Sequence, residues 1–356
     1  MSSVSIESST ASYTIHFYEG QLESSIQYAA LIIDENVAVP SALVGIPTLK
    51  IAVSEADKSL STVERICSFL LDCGCNRQST ILAVGGGFIQ DVVTLSASLF
   101  MRGIEWHYAP TTLIGMADSC IGGKSSINIR GGKNSIGNFY PPRQIFISTQ
   151  FLETLNKDTL YAGLFESVKI LFASNPETFP DVVNEPALAA SGSAKEWVTL
   201  IEKTLVAKKW FVEKDEFDRN ERQLLNFGHT FGHAFESASG YKVQHGIAVG
   251  YGMLAAIEFA GMPSSAPTNL LSHYCVRALR DTEVAKKIGD ADVDWQIFET
   301  AVLKDKKNSD SGIALILPNE LGILEKVYVS KDSSSLAQIT KAMKSAIRKV
   351  AADEIL

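Results

Sequence analysis

The chain has 356 residues, of which 46% are hydrophobic and 20% are charged, and its formal net charge is −8. That length favours two domains or one large α/β domain, and the acidic balance gives no reason to expect nucleic acid or an anionic membrane surface as a partner. The apolar runs are shorter than a membrane span and the N-terminal segment is Ser-rich without a basic, hydrophobic leader, so we expect a cytoplasmic protein.

The first part of the chain alternates short β-branched runs with helical patterns. Residues 14–18, 30–33, 49–53, 81–84, 106–109 and 144–147 are predicted strands, and residues 60–71 are a predicted helix. Strands separated by helices predict a mostly parallel sheet covered on both faces, the arrangement that binds nucleotides at the carboxyl ends of its strands. We therefore predict a Rossmann-like α/β nucleotide-binding domain over residues 1–150.

From about residue 151 the patterns become long and helical. Apolar residues recur at threes and fours through residues 160–172, 197–212 and 230–238, and loops of small or Pro/Ser residues are predicted at 189–194 and 262–268. Residues 313–317 and 327–329 have the pattern of a minor hairpin. The sequence thus predicts an all-α second domain over residues 151–356.

A glycine-rich turn follows one of the predicted strands. Gly85, Gly86 and Gly87 come directly after residues 81–84, and a helical pattern opens near Asp91. Backbone N–H groups and a helix N-terminus would face a bound phosphate at such a turn. Many strand-to-helix turns need glycine only for its dihedral angles, so the turn alone leaves both interpretations open.

Three of the six histidines lie within seventeen residues of one another, at His229, His233 and His245. His229 and His233 are four residues apart, so on a helix they share one face. A catalytic metal usually takes three protein ligands, and Glu166 in an apolar stretch is a suitable carboxylate partner. The alternative is an ordinary surface ion pair between Glu166 and Lys169 on an amphipathic helix. Spacing predicts a metal site without stating its purpose.

Several cations stand beside glycine or asparagine rather than in runs of charge. Lys124 and Lys133 each follow two glycines. Flexible backbone N–H groups and a cationic tip can converge there on phosphate or carboxylate, although a single loop lysine is ordinarily just solvated.

Taken together, these segments resemble the dehydroquinate synthase family from residue 54 to residue 322. The motifs that carry the resemblance are Gly85-Gly86-Gly87 with Asp91, Met101-Arg102-Gly103-Ile104, Pro110-Thr111-Thr112-Leu113, Asp118 with Gly122-Gly123-Lys124, Gly132-Lys133-Asn134, residues 163–169, residues 225–234 and Asp305-Lys306-Lys307. The resemblance implies that this chain has the family's fold, in which a nucleotide-binding α/β domain is followed by a helical metal-binding domain.

The resemblance implies two cofactors. It places zinc, or cobalt in its stead, on Glu166, His229 and His245. It assigns NAD to the following residues: Glu55, Lys58, Gly86, Gly87, Asp91, Thr111, Thr112, Lys133 and Thr154.

The resemblance also assigns residues to the substrate. Those with catalytic roles are Asp118, Lys169, Asn226 and His233, and those that bind the substrate are Lys124, Asn134, Lys208, Arg222, Lys306 and Arg102. Arg102 would reach the active site of a neighbouring subunit, which implies a homodimer. His233, outside the implied ligand set, suits a proton carrier because imidazole titrates near neutral pH.

The implied reaction converts 3-deoxy-D-arabino-heptulosonate 7-phosphate to 3-dehydroquinate and phosphate. It comprises oxidation by NAD, elimination of phosphate, re-reduction, ring opening and intramolecular aldol closure. Three positions depart from the family pattern, since Gln90, Thr94 and Asn220 stand where glycine is usual. The first two predict a slightly shifted NAD or altered helix packing rather than lost binding.

Two rival functions remain open on the sequence. One is another cyclase of the same superfamily, which would make an amino-dehydroquinate or a cyclitol from a sugar phosphate without a carboxylate; Lys208, Arg222 and Asn226 argue for an acid substrate. The other is a metal-dependent NAD polyol dehydrogenase, in which the many lysines and arginines would have no use.

Overall fold

The computed structural model describes residues 2–22, 26–54, 57–130, 132–182, 190–261, 265–310 and 312–352. By internal contacts the chain falls into two compact units, Met1–Leu155 with Ser193–Phe217 and Asn156–Gly192 with Asp218–Leu356. Every helix among the described residues is too short or too polar to traverse a bilayer.

The first unit is built on a seven-stranded sheet with strand order β1-β2-β9-β6-β5-β3-β4. The strands of this unit are β1 Ser3–Ile6, β2 Tyr13–Tyr18, β3 Ala30–Asp34, β4 Thr48–Ile51, β5 Thr80–Gly85, β6 Glu105–Pro110, β7 Ile127–Ile129, β8 Gly132–Ile136 and β9 Gln144–Ser148. Neighbouring strands of the sheet run parallel except β1 and β2, while β7 and β8 form a separate hairpin. The predicted parallel sheet is confirmed.

All six predicted strands are present, but β1 and the β7–β8 hairpin are not predicted by the pattern. In β1 only Ile6 is buried, and β8 exposes four of its five residues, so neither shows the apolar run of a central strand. By contrast, residues 81–84 in β5 are all buried, as expected for a strand covered on both faces.

The described residues of the first unit form three α-helices: α1 Leu60–Asp72, α2 Gly87–Leu99 and α5 Ala194–Lys214. Helix α2 begins at Gly87 and not near Asp91, because the last glycine of the turn already has helical dihedrals and Gly86 is the extended N-cap. Helix α5, which the sequence places after the boundary at residue 150, groups with the first unit because it packs against β1 and the π-helical turn Gly115–Ser119.

The second unit is mainly helical. Its helices are α3 Lys157–Ser174, α4 Phe179–Val182, α6 His229–Ala238, α7 His245–Phe259, α8 Ala266–Arg280, α9 Trp295–Leu303 and α10 Ser333–Ala351. It also contains the antiparallel hairpin of β10 Ile313–Pro318 and β11 Leu324–Val329, so the all-α description is corrected and the minor hairpin is confirmed. The predicted loops end earlier than expected, since α5 and α8 begin inside them; residues 183–189 and 262–264 lie outside the described residues.

Helix α7 is the centre of the second unit. It is apolar all round, so it is buried along almost its whole length, and it contacts α3, α6, α8 and α10. Two of its glycines allow unusually close contacts. A Cβ at Gly246 would lie 1.9 Å from the Ala162 carbonyl oxygen of α3, and one at Gly252 would lie 2.0 Å from the carbonyl oxygen of Gly228, the N-cap of α6. Backbone contact therefore holds α3, α6 and α7 together.

Candidate functional site

The three proposed metal ligands come from those three helices. Glu166 lies one turn after Ala162 on α3, and His229 and His245 are the first residues of α6 and α7. Oε1 of Glu166 is 3.4 Å from Nε2 of His245 and 3.9 Å from Nε2 of His229. Two imidazole nitrogens and one carboxylate oxygen thus converge, a donor set that suits zinc and related divalent metals.

His233 offers a competing donor to the same cluster. Its ring centroid lies 5.3 Å from that of His229 and 5.4 Å from that of His245. One nitrogen from each of the three histidines lies within 4.8 Å of the others, so a set of three imidazoles could also hold an ion. His233 is the exposed member of this trio. The geometry brings four candidate donors together and leaves a choice between two sets of three.

Outer hydrogen bonds orient both ligand histidines. Nδ1 of His229 is 3.2 Å from the Phe227 carbonyl oxygen, and Nδ1 of His245 is 3.0 Å from Oε2 of Glu236. When Nδ1–H donates in this way, Nε2 carries the lone pair that a metal requires. Sequence reasoning missed Glu236, although it stands seven residues after His229 and three after His233, on the same face of α6.

The carboxylate of Glu166 is the electrostatic centre of the cluster. Glu166 and Lys169 are both buried, and Nζ of Lys169 donates a hydrogen bond to Oε2 of Glu166. Burial, the Lys169 charge and His245 hold the pKa of His229 well below its usual range. Burial acts to lower the pKa of His245 as well, but hydrogen bonds to Glu166 and Glu236 outweigh it and raise that pKa to about 10. The Glu166 carboxylate therefore stabilises the positive charges of both Lys169 and His245.

The glycine turn of the first unit has the form expected of a phosphate site. Gly85 ends β5 and accepts a hydrogen bond of 3.0 Å from the backbone N–H of Thr111, which is buried. A Cβ at Gly86 would lie 3.0 Å from the side chain of Thr112. The first turn of α2 then starts at Gly87, and the N–H groups of a first helical turn have no partner within the helix.

Lys58, Asp91 and Asn134 form one hydrogen-bonded network in the first unit. Nζ of Lys58 lies 2.6 Å from Oδ2 of Asp91 and donates to Oδ1 of Asn134 over 2.7 Å. Ser126 completes it, because its backbone N–H donates to Asp91 over 2.9 Å. Burial raises the pKa of Asp91, and Lys58 and Ser126 oppose that rise by stabilising the carboxylate. The structure thus unites residues predicted for NAD with one predicted for the substrate, and adds Ser126.

A buried cation meets the π-helical turn that contains Asp118. Nζ of Lys208, on α5, lies 2.6 Å from Oδ1 of Asp118 and donates to the backbone carbonyls of Asp118 and Ile121. Lys208 is only 5% exposed, so this pairing fixes the position of its charge. Turns of π-helix frequently occur at functional sites.

The other predicted residues of the first unit lie mostly at its surface. Arg102, Lys124, Lys133 and Thr154 are exposed, and Glu55 lies outside the described residues. Arg102 has a left-handed φ of 67°. Non-glycine residues with such dihedrals concentrate at functional sites, which is consistent with a role for this loop.

In the second unit Arg222 is buried on the helical turn Glu221–Asn226, where the Asn226 amide donates 3.0 Å to the Gln223 carbonyl oxygen. Lys306 is exposed after α9, and its neighbour Lys307 lies 2.9 Å from Asp305.

Comparison with known proteins identifies the family. The model of the 3-dehydroquinate synthase N-terminal region matches residues 48–162, and that of the C-terminal region matches residues 163–308. The chain belongs to the 3-dehydroquinate synthase family. A 3-dehydroquinate synthase from Dictyoglomus thermophilum is 37% identical over 280 residues, which cover 78% of this chain and 77% of that relative. The resemblance seen in the sequence is confirmed, and this member is an enzyme of the lyase class, a phosphate-eliminating sugar-phosphate cyclase.

Solved structures of cyclases share the architecture. A 2-deoxy-scyllo-inosose synthase complexed with carbaglucose-6-phosphate, NAD+ and Co2+ is 25% identical, with a TM-score of 0.78 over 97% of this chain and 100% of that chain. A 2-epi-5-epi-valiolone synthase from Streptomyces hygroscopicus subsp. jinggangensis, with NAD+ and Zn2+ bound, is 23% identical and has a TM-score of 0.72 over 96% and 97% of the two chains. The similarity to the 2-epi-5-epi-valiolone synthase shows a shared fold and nothing more.

Proposed function

We propose that this family member is a 3-dehydroquinate synthase, which converts 3-deoxy-D-arabino-heptulosonate 7-phosphate to 3-dehydroquinate and phosphate. The observation that supports this most is the convergence of Glu166, His229 and His245 within a chain that is 36–37% identical to two 3-dehydroquinate synthases. The net reaction is an elimination of phosphate with closure of a carbocycle.

Glu166, His229 and His245 would hold a divalent metal, zinc or cobalt. The donor set fits, because both Nε2 atoms face the Glu166 carboxylate while both Nδ1 atoms have other partners. The Co2+ and Zn2+ of the two similar cyclases agree with this choice. We propose this set, rather than the three histidines, because both members of its histidine pair are partly buried beside Glu166, whereas His233 is exposed.

NAD would bind at the glycine turn of the first unit. The residues proposed for it are Glu55, Lys58, Gly86, Gly87, Asp91, Thr111, Thr112, Lys133 and Thr154. When bound, NAD takes and returns a hydride, and the metal acidifies the hydroxyl that is oxidised. The turn supplies backbone N–H groups for the pyrophosphate, and the Lys58–Asp91 pair fixes the start of α2.

The chain's cations would bind the two acidic ends of the substrate. Lys124, Lys306 and the partner-directed Arg102 suit the departing phosphate dianion, since their cationic side chains are exposed and can offset its developing charge. Arg222 and Lys208 suit the carboxylate, because buried cations keep a fixed place and a guanidinium can bind in a bidentate manner.

The remaining proposed residues would handle hydroxyls and protons. The Asp118 carboxylate would accept hydrogen bonds from substrate hydroxyls, and the amides of Asn134 and Asn226 could both donate and accept. Lys169 would hold Glu166 in place. His233 would carry protons.

The proposal predicts that purified protein, supplied with zinc and catalytic NAD, releases phosphate from the heptulosonate phosphate and forms a carbocycle. Absence of phosphate release would overturn it. The amino analogue and sedoheptulose 7-phosphate, assayed in parallel, distinguish the ordinary reaction from the rival cyclases; the similarity to 2-deoxy-scyllo-inosose synthase makes the second comparison necessary. Net accumulation of NADH would indicate the polyol dehydrogenase instead.

Two variants distinguish the possible metal ligand sets. His245→Ala should abolish stoichiometric metal under either set. His233→Ala should retain the metal if Glu166 is a ligand and lose it if the three histidines bind the ion. Metal content measured after dialysis, beside activity, decides between them.

We also propose a cytoplasmic homodimer in which Arg102 reaches the neighbouring active site. Mixing Arg102→Ala subunits with His245→Ala subunits tests this. A hybrid dimer would contain one site with both residues intact and recover activity, whereas Arg102 acting within its own subunit would give no recovery.

A further inference from the structure

Gln90 stands where the family usually has glycine, and its side chain is buried in the first turn of α2. The amide makes two hydrogen bonds to a single residue. Nε2 donates to the carbonyl oxygen of Ser119 over 2.7 Å, and Oε1 accepts from the Ser119 hydroxyl over 2.7 Å. Two bonds to one partner fix both the amide of Gln90 and the backbone of Ser119.

Ser119 connects two parts of the first unit that the proposed function treats separately. It ends the π-helical turn and directly follows Asp118, whose carboxylate lies 2.6 Å from Nζ of Lys208. Its hydroxyl also faces the nucleotide turn, because a Cβ at Gly87 would lie 3.9 Å from Ser119 Oγ. The segment is thus held by Lys208 from α5 and by Gln90 from α2.

We propose that Gln90 is a positioning residue that couples occupation of the nucleotide turn to the arrangement of Asp118 and Lys208. The inference rests on the proposed function, in which the turn binds NAD and this pair binds substrate. Glycine at position 90 has no side chain with which to hold Ser119, so the coupling is a property of this chain's departure from the family pattern. Ordering of α2 by NAD would be transmitted through the amide to Ser119 and hence to Asp118.

The test measures how strongly NAD promotes substrate binding. The probe is the 7-phosphonate analogue of the heptulosonate, which has no phosphate ester to eliminate. Its dissociation constant is measured by calorimetry with and without saturating NAD, and the ratio of the two is the coupling factor. In the wild type we expect a factor within the usual range of about 5 to 150.

Gln90→Met keeps the volume of the side chain and removes both hydrogen bonds. Its coupling factor should fall at least about fivefold, or to unity, since one ordinary buried hydrogen bond supplies roughly that equilibrium factor. Ser119→Ala removes the hydroxyl bond alone and should give an intermediate loss. Thr94→Ala is the matched control, because the Thr94 hydroxyl donates within α2, to the carbonyl of Gln90, and its loss should leave the factor unchanged.

Unchanged coupling in both Gln90→Met and Ser119→Ala, or a wild-type factor below about two, would overturn the inference while leaving phosphate release, and so the proposed function, intact. A wild-type protein that binds no NAD would overturn both. Thermal unfolding identifies any variant that fails to fold, in which case the other variant decides.

Discussion

Removal of the Glu236 carboxylate should weaken the metal site without touching a ligand. Glu236 accepts the hydrogen bond from Nδ1 of His245 over 3.0 Å. The side chain of His245 is 38% exposed, so packing constrains its ring on one side only and the bond to Glu236 helps to orient it. Loss of such an outer partner typically lowers metal affinity about 10- to 100-fold, or about 1.4–2.7 kcal/mol. A hydrogen bond to a charged group contributes a similar amount, about 1.5–3 kcal/mol.

Because His245 and Glu236 are only partly buried, we expect Glu236→Ala to lie towards the lower end, near a 10- to 30-fold loss by that range. Glu236→Gln keeps an acceptor but loses the charge, so its loss should be smaller. Metal-free protein is titrated with Co2+, whose visible absorption reports the ligand field, and with Zn2+ in competition with a chelator.

Glu258→Gln is the control for Glu236→Gln. Glu258 lies on the same helix as His245, thirteen residues further on and thus about 20 Å away, where it pairs with Lys349. The Glu258→Gln variant should therefore bind the metal with the affinity of the wild type. Affinity of Glu236→Ala within threefold of the wild type would refute the reasoning, since the outer carboxylate would then have no part in orienting His245.

Three further substitutions, one of them with a matched control, test the framework of the second unit. Gly228→Ala should lower the free energy of unfolding by about 2–4 kcal/mol, against about 1–2 for Gly240→Ala, because both have a left-handed φ but only the first meets backbone, at 2.7 Å. Lys169→Met should cost about 3–5 kcal/mol in chelator, where Glu166 is left as a buried charge, and less in zinc. Arg280→Ala should cost about 1–2 kcal/mol, since its guanidinium donates to three carbonyls at the end of α10.

Urea unfolding measures all three effects. Equal losses for the two glycine variants would show that the contact beneath α6 is not tight. A Lys169→Met loss that zinc leaves unchanged would separate the metal from the Glu166 carboxylate. Unaltered stability of Arg280→Ala would mean that water replaces the guanidinium at the carbonyls.

The parallel sheet could be predicted because each of its central strands has a recognisable pattern of residues within a short window. Residues 81–84 of β5 are all apolar and buried, and so are residues 30–33 of the adjacent strand β3. The start of α2 was misplaced because glycine has low helix propensity, so Gly87 gave no helical signal until tertiary structure fixed its dihedrals. The grouping of α5 with the sheet depends on contacts with β1, almost two hundred residues earlier, which no local window contains.

The sequence predicted the parts of the candidate site that are made of rare residue types. It did not predict the residues that surround and orient them. A cluster of histidines stands out in a chain with only six. Glu236 does not, because a glutamate on an amphipathic helix is ordinarily just solvated. Ser126 and Ser119 were missed for the same reason: serine is common, and only the fold shows that the Ser126 N–H donates to Asp91 and that the Ser119 carbonyl accepts from Gln90.

The contact of Gly246 with Ala162 has a consequence for how this enzyme can be altered. A methyl group at position 246 would lie 1.9 Å from a carbonyl oxygen, so the two helices would have to separate by more than 1 Å to reach ordinary contact. Metal–ligand bonds tolerate only about 0.2 Å. The geometry of the metal site therefore depends on Gly246 as well as on His229 and His245. Adding a single methyl group to Gly246, which binds no metal itself, would move His245 away from Glu166. Gly246 is therefore the position of this site that is least open to redesign.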